Sequence, residues 1–159
     1  MNDFFSKTDL SRKDAEAVIS ETLNKCDDGE LYLENSKSES IVLDDNKIKS
    51  SSYSSDLGYG LRAVTGEVVA YSHSNEISKN SLKQSANNLS STLKSKKGIY
   101  NHEIPKTNEK LYKDINPIEE KSLNSKLELL KEVNNYTRAK GGIVQQVTAS
   151  FAGEHKSEL

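Results

Sequence analysis

The chain has 159 residues, with 33% hydrophobic side chains and a formal net charge of −2. That size suits one domain or one domain with a loose tail and excludes a large multidomain enzyme within it; the low apolar content predicts a thin core. The 22 basic and 24 acidic residues are well mixed, so no basic stripe marks the chain for nucleic acid, and no apolar run approaches the length of a membrane span.

The N-terminus, MNDFFSKTDL, has no apolar segment of the kind a signal peptide needs, and residues 1–10 are expected to fray. Ser11 opens a helix, with Asp14 in a capping-box-like position and Ala15, Val18, Ile19, Thr22, Leu23 and Cys26 on one stripe. Cys26 is the single cysteine, so no internal disulfide can form, and a cytoplasmic location follows by default. On that stripe it reads as a small core residue, with a reactive thiol as the sharper alternative.

Five short runs of period-two character follow: Glu30–Glu34, Ser40–Asp44, Lys47–Ser55, Gly58–Val64 and Glu67–His73, with Asp45-Asn46 and Thr65-Gly66 as turns. They predict an antiparallel meander. Ser78 starts a second helix, stapled by Ile77 and Leu82 and closed by Lys96-Lys97-Gly98. Residues 11–97 therefore form a helix, a five-strand meander and a second helix. Residues 98–116 show no period and form a long connection. Residues 117–159 hold a third helix, with Asn116-Pro117 at its start and Leu123, Leu127 and Leu130 on one face, and a returning strand over Ile143–Phe151. The stretch after Gly153 resembles the beginning of another strand with no partner, so a truncated sequence is expected. The fold class is α+β, an antiparallel sheet meander with helices mainly on one face.

Chemistry-bearing motifs are sparse. His102-Glu103 has no second histidine one turn on, and Pro105 breaks any helix there, so it reads as a surface loop. His73 and His155 stand alone. Gly58-Tyr59-Gly60 lacks the third glycine and the following helix of a dinucleotide loop, and the serines from Ser50 to Ser55 lack a nucleophile elbow. Arg62 follows those glycines. Lysine outnumbers arginine 19 to 3, so an arginine that remains points to a need for a planar, bidentate donor. It makes a structural ion pair, or else it contacts a peptide carboxylate or a partner subunit. The residues alone carry no catalytic constellation.

Three stretches together, Glu39–Lys49 (ESIVLDDNKIK), Gly58–Glu67 (GYGLRAVTGE) and Ala70–Ser78 (AYSHSNEIS), resemble the N-terminal region of the TldD/PmbA family, and Val144–Glu154 (VQQVTASFAGE) resembles the strand after that family's third helix. The form LRAVTGE is closer to the TldD branch. Members are metallopeptidases once described as modulators of DNA gyrase. The resemblance implies a cytoplasmic zinc enzyme acting on flexible or unfolded peptides, paired with a TldE/PmbA-type subunit or forming a homo-oligomer. The family's His-Glu-x-x-x-His helix and later zinc cysteine have no counterpart here. No catalytic or metal residue is carried over; zinc is expected in the full-length parent and not on this chain, and the fragment alone is expected to be inactive. A stand-alone, non-catalytic interaction module is the alternative.

Overall fold

The structure is a computed structural model and describes residues 4–6, 8–93 and 115–159. The elements run α1 (Arg12–Leu23), β1 (Asp28–Asp44), β2 (Lys47–Thr65), β3 (Val68–Ser74), α2 (Lys79–Thr92), α3 (Pro117–Glu120), α4 (Leu123–Arg138) and β4 (Thr148–Glu158). They form one four-stranded antiparallel sheet in the order β3-β2-β1-β4, with helices on it: an α+β fold.

Local chemistry sets the ends of these elements. The side chains of Ser11, Ser78 and Ser122 each accept an orphan N–H three residues on, from Asp14, Ser81 and Ser125. Asp45 and Asn46 both take positive φ, 46° and 64°, the signature of a type I′ hairpin between β1 and β2. Gly66, at φ 59°, turns β2 into β3, which pairs without a bulge from Thr65↔Val68 to Tyr59↔Ser74.

The chain divides into two compact units. One comprises the residues up to Asn35, from Asp56 through α2, and Ser157–Leu159; the other comprises Ser36–Ser55 and the region from α3 to Lys156. In the first, α1 and α2 cover one face of the sheet, and their apolar stripes meet Leu33, Tyr59, Leu61 and Ala63. In the second, α4 sets Leu130 against Ile41, Leu43 and Ala149. Here the buried pair Lys126–Glu39 joins helix to strand, and Lys126 Nζ also donates to the Ile118 carbonyl at 2.7 Å.

Several expectations are corrected. Among the described residues of 1–10, Phe4 and Leu10 do not fray: they are 8% and 1% exposed, because their apolar side chains complete the first unit's core. Three strands form where five were expected between residues 30 and 74. The serine-rich stretches contain no proline, so β1 and β2 run through them unbroken. The third helix is split at Lys121, whose extended backbone lets Ser122 cap a new helix. Within that helix Leu130 is buried, while Leu123, Val133 and Tyr136 are exposed. Ile143 is 88% exposed and precedes the last strand. That strand starts later because its register follows β1: Asp45 N–H donates to the Val147 carbonyl, and Leu33 and Leu159 exchange both main-chain bonds. Residues 154–159 thus have a partner, contrary to the sequence reading. α2 ends at Thr92; Lys94–Gly98 and nearly all of the connection 98–116, with His102, lie outside the described residues.

Candidate functional site on the open sheet face

In the first unit, the sheet face away from α1 and α2 carries the alternate side chains of β1, β2 and β3. Core packing of Leu31, Leu33, Tyr59, Leu61 and Ala63 sends Asp28, Glu30, Tyr32, Glu34 and Arg62 to the other side. Arg62 Nε donates to Glu30 and its terminal nitrogen to Asp28, both at 2.8 Å. The Glu30 carboxylate first, and Asp28 with it, hold the guanidinium above its ordinary pKa. Arg62 therefore bridges two carboxylates within its own unit rather than gripping one in a bidentate fork.

Further along the same face lies a shallow groove of about 210 Å³. Its floor is the Gly58–Gly60 stretch of β2. Tyr32 and Glu34 line it from β1, Tyr71 and His73 from β3, and Asp56 from β2. The register sets Gly60 opposite His73 and Arg62 opposite Tyr71, so Tyr71 leans diagonally over Gly60. A Cβ on Gly60 would sit 2.5 Å from the Tyr71 hydroxyl. The Tyr71 and His73 rings stack with centroids 5.8 Å apart. The Tyr32 hydroxyl donates to Glu34 Oε2 at 2.8 Å. Of these groove residues the sequence reading singled out the two glycines and His73, the last only as an isolated histidine. The others were missed. Their signal was period-two alternation in three separate strands, which acquires meaning only once the register is known.

The remaining candidates do not converge. Cys26 is buried, its Sγ donating to the Thr22 carbonyl at 3.6 Å. It lines a larger cleft of about 720 Å³ between α1 and α2, together with Glu21, Lys25, Lys83 and Asn87. His155 lies on β4. Among the described residues no three His, Cys, Asp or Glu side chains are grouped to hold a metal. None of the described helices is long and apolar enough to cross a membrane.

Residues 29–92 match the family model described as PmbA/TldA metallopeptidase domain 1. The metalloprotease TldD homolog of Buchnera aphidicola subsp. Acyrthosiphon pisum is 35% identical over 134 residues, 84% of this chain. That of Haemophilus influenzae is 33% identical over 139 residues, again 84% of the chain. The chain spans 28% of the length of each. Among solved structures, a modulator of DNA gyrase from Bacteroides thetaiotaomicron aligns with a TM-score of 0.58 at 21% identity, covering 92% of this chain and 38% of its own. TldE from Thermococcus kodakarensis gives the same TM-score at 14% identity, covering 92% and 34%. Both share the fold.

Proposed function

We propose that this chain, which belongs to the PmbA/TldD family, serves as the N-terminal domain of a TldD-like zinc metallopeptidase acting on flexible or unfolded peptides. The observation that carries the reading is the domain 1 match, joined to relatives named as metalloproteases of which this chain spans little more than a quarter. Zinc and the catalytic groups would belong to the remainder of such a protein, where the metal would supply Lewis-acid activation for peptide hydrolysis. This domain shapes the substrate cleft or the contact with a TldE/PmbA-type subunit or a second copy, in the cytoplasm. Its described residues supply an open sheet face.

The test compares the full-length parent with this chain. Each is dialysed against zinc, its bound metal is measured, and it is assayed on an unfolded polypeptide with and without chelator. The parent is expected to hold zinc and to cleave; the isolated chain is expected to do neither. A parent without chelator-sensitive cleavage, or tight stoichiometric zinc on this chain, overturns the reading.

A further inference from the structure

The helix α4 of the second unit has three faces. One is buried through Lys126, Leu130 and Asn134, with Leu130 set against Ile41, Leu43 and Ala149. A second carries Glu128, Glu132 and Asn135, all exposed, as a face in water should be. The third runs through Leu129, Val133 and Tyr136, whose i, i+4, i+7 spacing puts them in one row. These side chains are 50%, 44% and 67% exposed. Lys140 closes the row at its C-terminal end, its Nζ 3.9 Å from the centre of the Tyr136 ring.

Only 33% of this chain is hydrophobic, yet α4 turns three large apolar side chains to solvent in register. Contiguous rows of that kind mark contact surfaces, whereas single exposed apolar residues do not. The row offers one hydroxyl and no carboxylate, so its cover must itself be largely apolar. Surfaces of that composition belong to permanent contacts, which resemble a core cut in two. The most permanent contact is one within a single polypeptide. This chain spans 28% of the length of its TldD relatives, and 38% and 34% of the two solved proteins whose fold it shares. Most of such a protein is therefore available to supply the missing layer.

We propose that the row of Leu129, Val133 and Tyr136 seats an apolar segment from the remainder of the parent polypeptide, which makes α4 a middle layer of the full-length protein. The occupant rests on reading this chain as one domain of a longer TldD-like protein; it requires neither zinc nor cleavage.

The test is the rate of thiol labelling of Val133→Cys, and of Glu132→Cys on the charged face, in this chain and in the full-length parent. The unsubstituted proteins give the background from buried Cys26. Both new thiols are expected to react freely in the isolated chain. In the parent alone, Val133→Cys is expected to react at least about tenfold more slowly, as a buried group must await local opening, while Glu132→Cys keeps its rate. As a second measurement, Leu129→Gln combined with Val133→Gln should leave the urea midpoint of the isolated chain unchanged and lower that of the parent. Equal labelling of Val133→Cys in chain and parent overturns the proposal, and so does equal shielding of Glu132→Cys. Shielding that appears only when a TldE/PmbA-type subunit is added, or that rises with the concentration of the isolated chain, assigns the row to another subunit or a second copy and overturns the occupant. A parent that cleaves but leaves Val133→Cys reactive sinks this inference alone; a parent that shields it but does not cleave sinks the peptidase reading alone.

Discussion

Arg62 holds two carboxylates with one guanidinium, and a lysine ammonium cannot reach both from the same stem. Arg62→Lys is expected to lower stability by at most about 1 kcal/mol, because Asp28 and Glu30 are solvent-exposed and such pairs are screened. Urea melts at low and high salt check this: the difference between parent and variant should shrink as salt rises. Lys126 is a different case. It is 5% exposed, and its removal strands the largely shielded Glu39 carboxylate. Lys126→Met should cost about 3 kcal/mol or more, and adding Glu39→Leu should recover much of that, since burying no charge is cheaper than burying one alone. A double-mutant cycle that shows simple additivity would contradict this. Asp44 contributes through pH. The Gln146 and Thr148 side chains donate to its carboxylate and, with Lys49 nearby, hold its pKa below the ordinary value. The folded state therefore favours the ionised form. Its contribution is complete above the unfolded pKa, about 4, and is lost as pH falls through the lower folded value. In urea melts from neutral to acid pH, the gap between parent and Asp44→Asn should close below about pH 4; a gap that stays constant would exclude the mechanism.

At the scale of elements, what could be read from the sequence depended on how far each determinant reaches. Ser11, Ser78 and Asn116 announced helix starts because a cap is decided within three residues. Asp45-Asn46 announced its hairpin for the same reason, and it offers a clean test. Asn46 sits at φ 64°, where a Cβ-bearing residue without a local hydrogen-bonding side chain is strained. Asn46→Ala should cost about 1 kcal/mol, while Asn46→Gly should be neutral or stabilising. Thermal melts of the two variants separate the backbone effect from any loss of side-chain contact. Strand lengths were not legible. Whether β1 stops at Glu34 or continues to Asp44 depends on β2 and β4 alongside it, more than a hundred residues away in the case of β4. Apolar alternation from Ile143 likewise suggested a strand, but main-chain pairing with β1 places β4 at Thr148. The site divides in the same way. Arg62 stood out as a rare residue type, whereas the groove combines Tyr32, Gly60 and Tyr71, which only the strand register brings together.

At the scale of the whole molecule, the described residues form two cores of unequal weight. The cluster in the first unit draws buried side chains from α1, α2, three strands and the N-terminal segment, including Leu10, Leu61, Leu82 and Leu89 at 1% exposure or less. The cluster in the second unit comprises Ile41, Leu43, Leu130 and Ala149, with Leu127 and Phe151 partly buried against it. Burial stabilises by roughly 25 cal/mol per Å² of apolar surface, so the second unit has much less to hold it closed. Its buried ion pair does not make up the difference, because desolvation offsets most of the attraction. Local opening should therefore be cheaper there, although β1 and β2 are continuous chains through both units. Native-state hydrogen exchange is expected to show the strand amides of Ile41 and Leu43 exchanging faster than those of Leu61 and Ala63. The ordering should sharpen in Leu130→Ala, which removes the large helical side chain buried in the smaller cluster. Uniform protection across the four amides, or slower exchange at Ile41 and Leu43, would mean that the shared strands couple the units into one cooperative fold despite the difference in core size.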